Sequence, residues 1–258
     1  MPHSFNIDTF LSGHVFAFLI LLSRIGAVMM LFPGIGERYV PARTRLIFAC
    51  LVSLLLLEPM FPRLPALPSS PAVMVQLVSY EVIIGLFFGT LVRIVISALD
   101  AAGLVIGVQT GLSNATVLNP ALATQSPLSS AFLSIIGLTL IFVSGADHFL
   151  LRTTFALYDA FPAGGELMPE DMAQTIIRVT NQSFTVGIEL AAPFLIMGLL
   201  LYSAVGILQR LLPTIQLFLV TLPLEIWGGL AMLSLTVAGM MTIWMRYFDQ
   251  SVGTFFQG

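Results

Sequence analysis

Charge is scarce in this chain of 258 residues, and lysine is absent from it. Charged residues make up 9% of the sequence, whereas an average soluble protein contains about 25%. Hydrophobic residues make up 57%, and the net charge is -3. A basic surface that binds nucleic acid therefore has no residues to be built from. The composition predicts an integral membrane protein.

Groups that carry enzyme or metal chemistry are also few. The single cysteine, Cys50, lies in an apolar run, and two of the three histidines fall within the first fourteen residues, so no cysteine cluster or histidine-rich metal site can form. Nucleotide-binding glycine motifs are absent. Ser113 lacks the nucleophile-elbow pattern, and His148 beside Asp147 is better explained as an interfacial hydrogen-bonding residue. We expect no catalytic residues, no cofactor and no metal.

Long apolar segments, separated by proline and polar residues, run through the whole chain. Segments of about 20 apolar residues are typical of membrane-spanning helices. We therefore predict an all-α integral membrane protein of about six long, proline-broken apolar helices arranged as hairpins. The apolar segments are residues 10–32, 46–57, 73–112, 128–143, 186–208 and 217–247.

Two of these segments raise questions of geometry. Residues 73–112 would form a helix about 60 Å long, twice the hydrocarbon thickness of a bilayer. Either this helix projects beyond the bilayer or it folds into a hairpin near residues 97–103, and the residues leave both possibilities open. The proline-rich stretch 58–71 predicts a rigid connector that no regular helix crosses, and Pro193 and Pro223 predict kinks in the last two segments.

The charges in the loops predict an orientation. The loop 33–45 carries Arg38, Arg43 and Arg45 against Glu37 alone, so the positive-inside rule predicts that it is cytoplasmic. The acidic segment 146–186 is then extracytoplasmic. Within it, Pro169 precedes two acidic residues, which predicts the start of a helix that lies against the membrane or a partner.

Ionisable residues inside apolar segments are costly in a membrane and usually face protein. We expect them to be buried partners at helix or subunit interfaces, with Arg93 and Asp100, seven residues apart, on nearly one helix face. The alternative is that all of them except Arg24 form the relay of a proton-coupled or small-solute transporter. The ionisable residues inside apolar segments are Arg24, Glu81, Arg93, Asp100, Glu189 and Glu225.

The stretch 103–127 turns polar without becoming charged. No charged residue occurs between Asp100 and Asp147. Gly103, Gly107 and Gly111 predict a small-residue helix face for close packing, and the polar residues that follow predict a break in the helix. Irregular backbone at membrane depth is tolerated where protein buries it or where it lines a cavity. We therefore expect an embedded loop.

Four stretches together resemble the FliR family of flagellar and type III secretion export proteins. The first is in the loop 33–45, with Pro33, Pro41, Arg43 and Arg45; the second surrounds the uncharged loop, with Gly103, Gly107, Gln109, Gly111, Asn119 and Pro120. The third contains Gly145, His148 and residues 161–164, and the fourth contains Arg210, Pro213 and Pro223. The chain differs from the family pattern at Gln216, Thr221 and Glu225, so a role for a basic residue at position 225 does not carry over.

The resemblance implies a non-enzymatic subunit of an export gate in the bacterial inner membrane, at the flagellar basal body. FliP and FliQ are its implied partners in the channel, FlhB and FlhA are further partners, and unfolded exported proteins are the cargo. Residues 1–186 would be FliP-like and residues 187–258 a FliQ-like hairpin. The family's assembly stands partly out of the bilayer plane, so that an apolar segment need not be a membrane crossing.

The resemblance also assigns the uncharged stretch as the plug that blocks the pore until cargo is threaded through. The implied plug and gating residues are Gly103, Gly107, Gln109, Gly111, Leu112, Ser113, Asn114, Asn119 and Pro120.

Overall fold

The all-α prediction is confirmed in the computed structural model, in which the described residues are 7–113, 127–211 and 217–254. These ranges contain seven α-helices, a short 3₁₀-helix at Phe61–Arg63 and no strand. The α-helices are α1 (Ile7–Leu31), α2 (Ala42–Met60), α3 (Pro71–Gln109), α4 (Leu128–Val143), α5 (Ala146–Ala160), α6 (Pro169–Leu211) and α7 (Leu217–Thr254).

The helices have the length and apolarity of membrane spans. Among the described residues, α1, α2, α3, α6 and α7 each contain a stretch apolar enough to cross a bilayer, and α4 and α5, two residues apart, would count as a sixth if taken as one span. Large apolar side chains also cover the outer faces: Leu55 is 78% exposed and Leu235 is 82% exposed. Such surfaces are stable against lipid, and the chain is an integral membrane protein.

The long third segment forms one helix. α3 runs without a break for 39 residues, so the alternative of a hairpin near residues 97–103 is wrong. The helix ends at Gln109, and Gly111 has a φ of 69°, which places it in the turn that follows. The prediction that Gly111 extends the helical glycine face is therefore wrong. Glycine is favoured at this position because the backbone there is left-handed.

Two predicted boundaries need correction. α2 continues through Pro59 to Met60, so the helix does enter the proline-rich stretch before the 3₁₀ turn ends it. α6 begins at Pro169 as predicted, but it continues for 43 residues and includes the segment 186–208. The polar residues 178–186 contain no glycine or proline, so nothing in them ends the helix. α6 and α7 also contain Pro193 and Pro223, whose kinks stay predictions.

The chain divides into two compact units. Counting described residues, unit 1 contains 7–93, 145–177 and 254, and unit 2 contains 94–113, 127–144, 178–211 and 217–253. α3 and α6 each contribute to both units. This division into compact units does not test whether residues 1–186 resemble FliP or residues 187–258 resemble FliQ. The division between 1–186 and 187–258 therefore stays a prediction.

A buried ion pair lies in the core of unit 1. Arg24 on α1 donates from Nε to Oε2 of Glu81 on α3 at 2.6 Å, and from Nη2 to Oε1 at 3.1 Å. The side chains are 0% and 1% exposed. Tyr158 on α5 places its ring 3.7 Å from the guanidinium carbon and donates its hydroxyl to Glu81 at 3.4 Å. Arg24 and Glu81 are therefore paired as expected, but inside this chain and not at a subunit interface.

The other ionisable residues of α3 have separate partners. Arg93 pairs with Glu37 in the loop after α1, with Nη1 and Oε1 2.6 Å apart. Asp100 accepts a hydrogen bond of 2.6 Å from the Ser134 hydroxyl on α4. Arg93 and Asp100, which lie on nearly one helix face, therefore each meet a group on another element.

The loop that follows α1 is held by backbone and side-chain bonds. Gly36 donates its amide to the Phe32 carbonyl at 2.6 Å. Arg45 donates from Nη2 to the carbonyls of Glu37 at 2.6 Å and Val40 at 3.0 Å. Because Glu37 also pairs with Arg93, one loop is tied to both α2 and α3.

We expect the Arg24→Leu substitution to destabilise the protein by about 3–5 kcal/mol, because it leaves the Glu81 carboxyl buried without its partner. The double substitution Arg24→Leu with Glu81→Leu should be less destabilised than Arg24→Leu alone, since it removes the uncompensated group. Thermal unfolding in detergent measures the difference.

The exposed pair of Arg63 and Asp159 is the control, with side chains 58% and 70% exposed. Arg63→Leu should cost no more than about 1 kcal/mol, as is usual for surface ion pairs. Equal losses for Arg24→Leu and Arg63→Leu would refute the stabilising role of the buried pair.

Candidate functional site

The two ends of the uncharged loop meet beside one glycine of unit 2. A Cβ added at Gly107 on α3 would lie 2.9 Å from Oγ of Ser113, 2.6 Å from Oγ of Ser129 and 3.9 Å from Cβ of Pro127. The Ser113 amide also donates to the Gly107 carbonyl at 3.0 Å. Residues 114–126 lie outside the described residues. The chain thus leaves this point at Ser113 and returns to it at Pro127, and we call these contacts the loop base.

Close contact between α3 and α4 continues below the loop base. A Cβ at Gly103 would overlap the backbone of Ser130, so only glycine permits this approach. The Ser129 hydroxyl donates to the Gly103 carbonyl at 2.6 Å, and the Ser130 hydroxyl donates to the Asp100 carbonyl at 3.0 Å. Small residues and hydroxyl bonds of this kind are typical of helix pairs in membranes.

The end of α3 packs against glycines on two further helices. A Cβ at Gly198 on α6 would overlap the Gln109 side chain, and a Cβ at Gly229 on α7 would overlap Thr110. Thr110 is 1% exposed. The residues immediately before the loop are therefore fixed between α6 and α7.

An open cavity with both polar and apolar lining adjoins this contact. Gln109, Tyr202 and Ser203, with two leucines of α6, line a volume of about 620 Å³. Glu225 on α7 is 5% exposed and shares a hydrogen bond with the Tyr202 hydroxyl. An acidic residue in the apolar α7 thus has a polar partner on α6 in the same unit.

The structure brings part of the predicted plug set together. Gly103, Gly107 and Gln109 lie on α3, and Gly111, Leu112 and Ser113 lie in the turn that follows. Asn114, Asn119 and Pro120 lie outside the described residues. Whether any of them gates a pore stays a prediction.

The remaining predicted residues are spread over the described chain. Glu189 is exposed on α6, so an interface role there stays a prediction. The family-motif residues do not form one cluster: Pro33, Pro41, Arg43 and Arg45 lie in or next to the loop after α1, Arg210 is exposed at the end of α6, Pro223 is exposed in α7, and Pro213 lies outside the described residues.

Several contact residues were not predicted from the sequence. Ser129 and Ser130 carry a weak signal, because two adjacent serines near the start of an apolar helix, after Pro127 and Leu128, suggest hydroxyl contacts. Gly198 is a single glycine in an apolar run, Gly229 follows Gly228 in another, and Tyr158 lies 77 residues from Glu81. No local signal identifies these partners.

The described residues carry little reactive chemistry. Within them, no three His, Cys, Asp or Glu side chains are grouped to hold a metal ion. His148 lies 3.0 Å from Asp147, and its side chain is 79% exposed. The contacts at the loop base are packing contacts and hydrogen bonds.

The chain is similar to bacterial export proteins along nearly its whole length. The family described as Bacterial export proteins, family 1, matches residues 15–251. The flagellar biosynthetic protein FliR of Caulobacter vibrioides is 33% identical over 241 residues, which are 93% of this chain and 96% of that protein. FliR of Bacillus subtilis is 29% identical over 244 residues, 92% of each chain.

A relative from a different secretion system also matches. Yop proteins translocation protein T of Yersinia pestis is 27% identical over 169 residues, which are 62% of this chain and 65% of that protein.

We expect Gly103→Ala to destabilise the protein by about 1–3 kcal/mol, because the new methyl group would push α3 away from the backbone of Ser130. Gly107→Ala should cost less, since the serine hydroxyls it meets can rotate. Thermal unfolding in detergent ranks the variants.

Gly206→Ala on α6 is the control, because no atom lies within 4 Å of its added Cβ. This substitution should leave stability unchanged or raise it by up to about 1 kcal/mol through helix propensity. Equal melting temperatures for the Gly103→Ala and Gly206→Ala variants would exclude the proposed close contact.

Proposed function

The chain belongs to family 1 of the bacterial export proteins, and from that membership we propose that it is a subunit of the flagellar type III protein export gate. The observation that carries this proposal is the match over residues 15–251, which includes the loop base and every described helix in whole or in part. Relatives named for flagellar biosynthesis and for Yop translocation support a role in protein export. We further propose that the subunit is not an enzyme and contributes packing surfaces to a channel.

We propose that this subunit assembles with FliP and FliQ in the bacterial inner membrane, with FlhB and FlhA as further partners. Exposed apolar faces on α2, α6 and α7 support contact with other membrane helices, for example at Leu54 and Leu199. Glu189 is exposed within the apolar part of α6, where an uncompensated carboxylate is costly. A polar or basic group of a partner helix would stabilise it.

We propose that the uncharged loop between Ser113 and Pro127 is the plug of the channel. Its sequence carries no charge, so cargo can displace it without breaking ion pairs. The meeting of Ser113, Ser129 and Pro127 over Gly107 supports a closed resting state. Export of an unfolded chain would require these contacts to separate.

A proton-coupled transporter is the alternative, and the contacts within unit 1 speak against it. A relay needs groups that exchange protons in sequence, yet Arg24 is bonded to Glu81 through two nitrogens and Arg93 is bonded to Glu37. Arginine does not release its proton at physiological pH. These pairs therefore act as fixed structural bonds.

Co-expression tests the gate assignment. The tagged chain, produced with FliP and FliQ of the same organism and purified in detergent, should elute as one hetero-oligomer with both proteins, with the composition read by native mass spectrometry. If FliP and FliQ assemble together while this chain elutes alone, the assignment is wrong.

We expect replacement of residues 113–125 by a Gly-Ser linker of equal length to make cells permeable to small ions, because the linker retains chain closure but not the plug sequence. Ion leak through assembled gates is measured as growth sensitivity or conductance. Replacing residues 166–168, of which the first and last are exposed, in the same way is the control and should leave permeability unchanged. An equal, wild-type permeability for both replacements in a gate that still assembles would contradict the plug role.

A further inference from the structure

A second open cavity lies in unit 2, away from the loop base. It is a groove of about 610 Å³ between α4 and α7. Its walls are apolar along most of their length, and its lining includes Ile136, Leu140, Met241, Met245, Arg246 and Asp249. None of these residues takes part in the contacts of the loop base described above.

The relative direction of α4 and α7 places the polar residues at one end of this groove. α3 is antiparallel to α4, since position 103 meets position 130 and Leu99 meets Gly137. α3 is also antiparallel to α7, since Trp244 donates to the Val95 carbonyl and Gly229 meets Thr110. α4 and α7 therefore run parallel. Ser144, directly after α4, then lies at the same end of the groove as Arg246 and Asp249, and the opposite end is lined by Val237 and Ala238.

The groove has the length of one membrane leaflet. From Val237 to Asp249, twelve residues of α7 rise about 18 Å, and half the hydrocarbon core of a bilayer is about 15 Å. The apolar span of α7 ends at Gly253, so Arg246 and Asp249 lie in its last turns. Charged residues in this position sit at the level of lipid headgroups.

The polar end carries two opposite charges that are free to bind a ligand. Arg246 and Asp249 are both exposed, and among the ion pairs of the described residues none involves either of them. Three residues apart, they lie on one side of the helix. A phosphate would bind the Arg246 guanidinium, and a primary ammonium would bind the Asp249 carboxylate.

We propose that this groove binds a zwitterionic aminophospholipid, phosphatidylethanolamine, with one acyl chain between α4 and α7. Its phosphate accepts hydrogen bonds from Arg246, and its ammonium donates to Asp249 and to the Ser144 hydroxyl oxygen. An anionic phosphatidylglycerol would match Arg246 but would leave Asp249 without a cation. The proposal does not depend on the gate assignment, since it uses only the membrane location and the contacts of unit 2.

Native mass spectrometry of the full-length chain, released from nanodiscs of equal phosphatidylethanolamine and phosphatidylglycerol, tests the proposal. The wild-type chain should retain phosphatidylethanolamine preferentially. Arg246→Gln should lower its retention roughly tenfold, the effect of losing a hydrogen bond to a charged group. Asp249→Asn should remove the preference between the two lipids while retaining binding. Arg152→Gln, which changes an exposed arginine of α5, is the matched control and should leave retention unchanged.

Steric variants distinguish lipid binding in the groove from general binding of lipid around the protein. Ala238→Phe fills the apolar end and should reduce retention severalfold, whereas Leu235→Phe, on a side chain 82% exposed and outside the groove, should not. Equal retention of both lipids by the wild-type chain, or retention that none of the groove variants changes, would overturn the proposal. Loss of the lipid when the chain assembles with FliP and FliQ would also overturn it, because a partner helix would then be the occupant.

Discussion

Close approach of neighbouring helices at glycine residues is the constraint on which unit 2 depends. Lipid tails are as apolar as leucine, so helices in a membrane associate through tight packing and hydrogen bonds and gain little from burying apolar surface. The second half of α3 meets α4 at Gly103 and Gly107, α6 at Gly198, and α7 at Gly229. Each contact exists because one side lacks a Cβ. The end of α3, from which the uncharged loop departs, is fixed as a result.

Unit 1 is stabilised by a different kind of contact. Its core contains the Arg24 and Glu81 pair, covered by Tyr158, and Arg93 with Glu37 ties the loop after α1 to α3. Ion pairs thus make these contacts in unit 1, whereas hydroxyl, amide and backbone groups make the contacts around the loop base. This difference fits the proposal that the loop base opens during export while the surrounding helices remain assembled.

Hydropathy and helix-capping rules predicted much of the fold. The bounds of α4 agree with the predicted segment 128–143, and α6 begins at the predicted Pro169. Helix ends were less certain: α6 continued through a polar stretch, and Gly111 belonged to a turn, because continuity depends on packing as well as on composition.

Partners were the least predictable feature. Arg93 and Asp100 share a helix face, yet their partners, Glu37 and Ser134, lie on other elements. Spacing along one helix shows which side chains point together, but it carries no information about the residue opposite. The glycines that receive Gln109 and Thr110 could not be identified for the same reason, and the family resemblance was needed to connect the loop with export.

Crosslinking the loop base tests most directly the claim that this base opens during export. In a chain whose Cys50 is first replaced by serine, Ser113→Cys and Ser129→Cys would put two thiols beside Gly107, where the native hydroxyls lie 2.9 Å and 2.6 Å from the position of its added Cβ. Secretion of a flagellar substrate is then measured under oxidising conditions and again after a reductant is added, with the single Ser129→Cys chain as control. The account predicts that oxidation stops export only in the double variant and that reduction restores it. Export at the uncrosslinked rate from a fully crosslinked chain would contradict it.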